Sequence, residues 1–222
     1  MAVDLVVGGT SGLGLEIARE FAERDRAVIV TGRRDPKVEF AEFRRLELSK
    51  SGLPRRIGNF VMKLPEIDSL VYAAGYYQRG RITELEDHDI QEMLRVGGEA
   101  PTLLLRHLLL KQGGLDQLVM ITSTSQWTVR EEEPVYNFVK SGEAMFSRAL
   151  ALDTKTPINR VLIAAPAGMQ TPFWEGTDHP EYDKMNDPAW VAKTIVDVAI
   201  PQKRTPWEIH ILRDPPRVES VK

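Results

Sequence analysis

Short runs of aliphatic and β-branched residues alternate along the chain with stretches whose apolar positions recur every three or four residues. The runs are "VDLVVG" (3–8), "AVIVTG" (27–32), "FRRLEL" (43–48), "SLVYAAG" (69–75), "QLVMITS" (117–123), "RVLIAAP" (160–166) and "WEIHIL" (207–212). Strands separated by helical stretches form parallel sheets with helices on both faces. The seven runs therefore predict one doubly wound, seven-stranded parallel sheet in a three-layer α/β/α arrangement, a single domain over residues 1–222. Between them, Leu13, Ile17 and Phe21 mark the inner face of a first helix. A second is expected over Asp87 to Gln112, N-capped by Asp87 and kinked by Gly97, Gly98 and Pro101. A third runs from Tyr136 to Asp153, and a fourth from Pro188 to Ala199 with Asp187 as N-cap. The segment from Arg33 to Glu42 is too short for a crossover with a full helix, so a loop or a partner subunit should cover that part of the sheet.

Composition narrows the function without naming it. The chain has 222 residues, 27% of them charged, and a formal net charge of -3, with no basic stripe for nucleic acid. Its most apolar helical stretch, "PTLLLRHLLLKQ", is broken by Arg106 and Lys111, so no membrane span is expected. "MAVDLVVGG" enters an apolar run with no basic, signal-like segment, and there is no cysteine; a cytoplasmic location is expected. His88, His107, His179 and His210 show no metal-ligand spacing, and no metal is expected.

Immediately after the first strand comes "VGGTSGLG", with Gly8, Gly12 and Gly14 spaced G-x-x-x-G-x-G. Glycines there allow a tight turn and close approach of a pyrophosphate, and the helix that follows offers free N–H groups and its positive dipole end. The second strand ends in "TGRRD", with Arg33 and Arg34 where a ribose-binding carboxylate is usual. A guanidinium binds a 2′-phosphate bidentately, so NADP(H) is expected over NAD(H). An alignment shifted by two residues would bring Asp35 to the same place.

In "PVYNFVKSG" Tyr136 and Lys140 stand four apart, on one face of a helix, and Ser123 ends a strand thirteen residues upstream. The pair alone is compatible with a solvated helix face. With the glycine loop and Ser123, however, the chain resembles the short-chain dehydrogenase/reductase family over nearly its whole length. "VGGTSGLG" is similar to the family's cofactor loop, "AAG" (73–75) to its Asn-Asn-Ala-Gly strand end, and "ITS" (121–123) to its catalytic-serine strand. "YNFVKSGEAMFSRALALD" is similar to the catalytic helix, and "APAGMQTPF" to the Pro-Gly-x-x-x-Thr segment.

The resemblance implies a Rossmann-type fold and carbonyl–alcohol interconversion by hydride transfer. Tyr136 would be general acid and base, Lys140 would hold the nicotinamide ribose and lower the Tyr136 pKa, and Ser123 would bond the substrate oxygen. Two unit charges about 4 Å apart at an effective dielectric near 20 interact by roughly 4 kcal/mol, about 3 pKa units. That would bring the phenol close to neutrality. Implied cofactor contacts are Gly8, Thr10, Ser11, Gly12, Leu13, Gly14, Arg33, Arg34, Glu47, Leu48, Ala74, Gly75, Tyr136, Lys140, Pro166, Met169 and Thr171.

Some positions depart from the family pattern. Gly97 stands where the family has a catalytic asparagine that supports the helix kink and a proton-relaying water; here a backbone carbonyl could hold that water. Val7, Tyr72, Ala73 and Ala167 replace a threonine, two asparagines and a glycine. A second reading is therefore carried: an NADP(H)-binding sensor or scaffold of the same fold with weakened turnover. The polar segment 171–187 is expected to form a substrate lid, with Phe173 and Trp174 on its underside and Tyr76, Tyr77, Gln126 and Trp127 on the opposite wall. "REEEP" (130–134) reads as a solvated loop. The substrate would be a small carbonyl or alcohol, and the family's habit implies a homodimer or homotetramer paired through the two long helices.

Overall fold

The computed structural model describes residues 3–155, 157–174 and 181–221. In chain order its strands are β1 (Val3–Val7), β2 (Ala27–Gly32), β3 (Glu42–Arg45), β4 (Ser69–Tyr72), β5 (Leu115–Ile121), β6 (Ile158–Pro166), β7 (Trp207–Leu212) and β8 (Arg217–Val221). The helices are α1 (Gly12–Ala22), α2 (Leu53–Met62), α3 (Asp87–Leu94), α4 (Ala100–Gln112), α5 (Pro134–Leu150) and α6 (Pro188–Ala199).

All eight strands form one sheet in the order β3-β2-β1-β4-β5-β6-β7-β8. The first seven are parallel, as the alternation predicts, and β8 adds to β7 antiparallel. This eighth strand was not expected, because "RVESV" is polar and exposed and carries no core-facing alternation. Chain order reverses on either side of β1, which pairs with β2 at Val7↔Thr31 and with β4 at Val7↔Tyr72. Such a switch point opens a crevice at the carboxyl ends of the strands.

Alternate side chains of each strand feed two cores. Leu5 and Val7 join Leu53, Ile57 and Val61 of α2 and Leu104, Leu105 and Leu108 of α4 on one face. Val6, Val28 and Val30 join Leu13, Ile17 and Phe21 of α1 and Val191, Ile195 and Val196 of α6 on the other. The α/β/α Rossmann-type architecture follows from burying both faces. Helix α2 was not expected, since Pro54 and Gly58 interrupt its pattern, yet Leu53, Ile57 and Val61 still recur on its buried face.

No helix forms between β2 and β3, and the loop itself covers that end of the sheet. Phe40, Ala41 and Phe43 pack on the second core, and the Arg19 guanidinium lies 5.0 Å over the Phe40 ring. The long second helix is α3 and α4 joined by a π-helical turn, Arg95–Glu99. Its N-cap is Glu86 rather than Asp87, which opens the first turn. Pro101 removes a backbone donor, and next to it the Thr102 hydroxyl donates to the Gly98 carbonyl at 2.8 Å. Helix α5 starts at Pro134, two residues before Tyr136, and ends short of Asp153. Asp187 caps α6 as expected, accepting from Ala189 N at 2.9 Å.

Candidate active site

The crevice at the switch point is a cleft of about 1360 Å³. Its floor is the turn after β1. Gly8 has φ +81°, and a Cβ there would lie 2.6 Å from Ala74 N. A Cβ on Gly14 would lie 2.2 Å from the Gly8 carbonyl oxygen, so only glycine lets the turn close against the start of α1. Ser11 occupies the N-cap in extended conformation but makes no side-chain capping bond. The first-turn N–H groups of α1 are thus left to an acceptor from the cleft, which suits a pyrophosphate. Thr10, Ser11, Gly12, Leu13 and Gly14 all line this floor.

At the end of β2, Arg33 and Arg34 also line the cleft. Both are exposed, and neither makes a hydrogen bond or ion pair with the described residues. Asp35 is engaged in its own turn, accepting from Lys37 N at 2.8 Å. Glu47 and Leu48 lie past the end of β3, and Ala74 and Gly75 past the end of β4, all on the cleft wall. Pro166, Met169 and Thr171 line the far side. A parallel bridge between Met169 and Asn186, with Asn186 N donating to Gly168 O at 3.0 Å, ties that segment to the entry of α6. The floor and the bare edge at Ala74–Gly75 fit a nicotinamide dinucleotide.

Tyr136, Lys140 and Ser123 meet where the floor joins α5. The ring of Tyr136 is buried, 9% exposed, and lies 5.7 Å from Lys140 Nζ. Lys140 donates to the Ile121 carbonyl at 3.2 Å and to Glu143 Oε2 at 2.8 Å. Ser123 Oγ accepts from Ser125 N at 3.1 Å and lies 3.2 Å from Ser125 Oγ. Burial pushes the Tyr136 phenol up; Lys140 pulls it down, the Glu143 and Glu133 carboxylates push it up again, and the Ser123 hydroxyl pulls it down. The net direction is upward, against the expectation of a phenol near neutrality. That expectation counted Lys140 alone and missed both the burial and the two carboxylates.

An aromatic wall faces this group. Tyr77 meets Trp174 with centroids 5.2 Å apart and Phe173 at 5.9 Å, while Phe173 and Trp174 touch edge-on at 5.3 Å. Trp174 Nε1 donates to the Met169 carbonyl at 2.9 Å, holding the ring over the cleft. Tyr76 lines the wall with its hydroxyl donating to Asp89 Oδ1 at 2.8 Å. Of the expected lid, residues 175–180 lie outside the described residues.

Two expected pocket residues are not in the cleft. After Ser123 the chain makes a 3₁₀ turn, Thr124–Gln126, that carries Gln126 and Trp127 towards β7. Gln126 Nε2 donates to Glu208 Oε1 at 2.7 Å, and Trp127 stacks on His210 with centroids 3.7 Å apart. Conversely, two members of the "REEEP" run are not merely solvated. Glu133 and Arg130 line the cleft; Glu133 accepts from the Tyr77 hydroxyl at 3.1 Å and from Ser125 Oγ at 3.1 Å, and Arg130 donates to Ser125 Oγ at 2.6 Å. Their role has no signal in a run of like charges. Arg213, beyond β7, also reaches the cleft and was not anticipated. Among the described residues no group of acidic or histidine side chains could hold a metal, and no helix is long and apolar enough to cross a membrane.

The chain is similar to known proteins in sequence and fold. The family model for short chain dehydrogenase matches residues 2–181. A protein described as carbonyl reductase family member 4, from Xenopus tropicalis, is 27% identical over 210 residues, covering 86% of this chain and 88% of its own. An alcohol dehydrogenase from the archaeon Thermococcus sibiricus, solved with 5-hydroxy-NADP, superposes with a TM-score of 0.80 at 20% identity, covering 96% of each chain. A short-chain dehydrogenase from Sphingobium yanoikuyae, solved with NADPH, gives 0.77 at 18% identity, covering 89% of this chain and 84% of its own. The two structural likenesses speak for the fold, and the match across the glycine turn, the serine strand and α5 speaks for descent: this chain belongs to the short-chain dehydrogenase family of oxidoreductases.

Proposed function

We propose that the chain is an NADP(H)-dependent oxidoreductase that interconverts a carbonyl and an alcohol, with Tyr136 as general acid and base. The observation that carries this reading is the convergence of Tyr136, Lys140 and Ser123 on one wall of a cleft whose floor is the glycine turn. When bound, the nicotinamide dinucleotide supplies or accepts the hydride. The chain's own residues do the rest.

Ser123 Oγ and the Tyr136 hydroxyl hold the substrate oxygen. In the reducing direction Tyr136 donates its phenolic proton to that oxygen as it becomes an alcohol. With its pKa held above the ordinary value, the Tyr136 phenol is protonated at neutral pH, as this step requires. Two of the three ammonium protons of Lys140 are engaged by Ile121 and Glu143, leaving one for the cofactor's ribose hydroxyls. Arg33, with Arg34 beside it, takes the 2′-phosphate, because both guanidinia are free whereas Asp35 is committed to Lys37 N. The aromatic wall of Tyr77, Phe173 and Trp174 favours an apolar or flat carbonyl compound. The names of the relatives support the same direction: a carbonyl reductase among them, and NADP-type cofactors in the solved neighbours.

The reading includes a homodimer or homotetramer paired through α4 and α5, whose outer faces leave Leu110, Phe138 and Met145 each more than 60% exposed. Light scattering over a concentration series tests it, and a monomer throughout would refute it. The function itself is tested by following NADPH consumption with a panel of aldehydes, ketones and quinones, beside a fluorescence titration with NADPH and with NADH. Turnover and tighter NADPH binding are expected. Tight binding with no turnover on any compound would favour a cofactor sensor instead, and binding of neither nucleotide would overturn both.

A further inference from the structure

We propose that Glu143 is a positioning residue that keeps the Lys140 ammonium charged and aimed at the cleft. The proposal rests on the reading of Lys140 as part of the catalytic group.

Lys140 and Glu143 are three apart on α5, a spacing that on a helix surface makes a weak, screened ion pair. This pair is not on the surface. The side chains are 6% and 0% exposed, and Nζ lies 2.8 Å from Oε2. Removing either partner would leave a buried charge unpaired, whereas a pair of apolar residues in their place would often cost nothing. A buried ion pair is thus weak evidence of a purely stabilising role.

The room for the carboxylate comes from a different helix. A Cβ at Gly97, in the π-helical turn, would lie 3.0 Å from Glu143 Oε1 and 2.1 Å from Val139 Cγ1. The bare backbone of Gly97 thus makes room for Val139 and for Glu143, and a Cβ at position 97 would clash with Val139 and crowd the carboxylate. Oε1 is shielded from solvent and has no hydrogen-bond partner. The carboxylate spends its only bond on Lys140, and among the described residues no other cation bonds it.

The other titratable groups facing the pair are two phenols. Tyr136 lies across Lys140 on α5, with Glu133 beyond it. Tyr72, from β4, donates its hydroxyl to the Val96 carbonyl, and is held above its ordinary value by burial and then by Glu143. Neither phenol supplies positive charge. Burial alone would push the Lys140 pKa down; Glu143, with help from Tyr136, more than reverses this. Burial also pushes Glu143 up to about 7 despite the pull of Lys140, so the two groups titrate as a coupled pair. With the carboxylate gone, the chief opposition to the desolvation of Lys140 is lost, only Tyr136 and the Ile121 carbonyl remaining, and its proton leaves at lower pH.

The test compares wild type with Glu143→Gln, which keeps the shape and loses the charge, and with Glu143→Asp. Lysine 13Cε NMR follows each titration, the Lys140 signal being identified by its loss in Lys140→Met. The Lys140 signal is expected to titrate at lower pH in Glu143→Gln by at least about one unit, a tenfold change in proton affinity, with Glu143→Asp between. The alkaline limb of kcat/KM should move by the same amount while NADPH binding at neutral pH stays within a few-fold. A Lys140 titration that is the same in wild type and Glu143→Gln would overturn the proposal. The NMR readout needs no turnover, so an inactive wild type would sink the functional reading while this comparison still decides the role of Glu143.

Discussion

The ring of Tyr77 meets the ring of Tyr136 edge-on, with centroids 5.0 Å apart and planes at 87°. The two phenols have different duties. Tyr77 spends its hydroxyl on Glu133, and burial followed by that carboxylate holds it well above its ordinary pKa. It is a prop. Tyr136, packed against it, keeps its hydroxyl at the cleft beside Ser123 and Lys140.

Tyr136→Phe removes one oxygen and keeps that ring contact. We expect turnover to fall by roughly 10²–10⁴-fold, the usual worth of a positioned general acid. NADPH binding and the unfolding midpoint should hardly change. Steady-state kinetics beside a fluorescence titration checks this, and retained turnover would remove Tyr136 from the chemistry.

Arg33→Ala should weaken NADPH binding by roughly ten- to a hundredfold, as expected for loss of a hydrogen bond between charged groups worth about 1.5–3 kcal/mol. NADH binding should be nearly unchanged, because Asp35 stays tied to Lys37 N. An equal loss for both nucleotides would mean that Arg33 does not read the 2′-phosphate.

At the opposite end of the sheet, Arg26 donates from Nη2 to Asp4 Oδ1 at 2.6 Å, and the Asp4 side chain is fully buried. Arg26→Ala strands that carboxylate. Urea unfolding should show a loss of about 3–5 kcal/mol, typical for breaking a buried pair from one side. The cleft lies at the other ends of the strands, so cofactor affinity measured on the folded variant should be preserved.

Glu143 also gives stability a pH signature. Its folded pKa of about 7 lies above its ordinary 4.5, so its contribution is fully present below pH 4.5 and is lost as pH rises through 7. The stability of wild type minus that of Glu143→Gln should therefore fall across this window. A flat difference in urea midpoints from acid to neutral pH would contradict the burial of a titrating carboxylate there.

The residues legible from the sequence were those whose meaning is local. The glycine turn follows from its place between an apolar run and an amphipathic helix, and Tyr136 and Lys140 from their spacing on one helix face. Glu143 stands three residues on in the same helix, but its significance depends on a glycine in another helix and could not be read from α5 alone. Gln126 and Trp127 were misplaced because the turn after Ser123 carries them to β7. Glu133 was hidden in a run of like charges, although only tertiary structure brings Tyr77 to it. Helix α2 was masked by Pro54 and Gly58, and β8 by a polarity that suits an edge strand.

Both borders of the sheet carry charge on short strands. On β3, Arg44 Nε bonds Glu42 at 2.6 Å, and on β8, Arg217 Nε bonds Glu219 at 2.8 Å. A further strand docking at either border would have to strip water from these side chains, which is a common protection against fibrous stacking of sheets. The antiparallel β8 thus serves as a selvedge: it finishes the fabric of the sheet and stops it from being extended by another molecule.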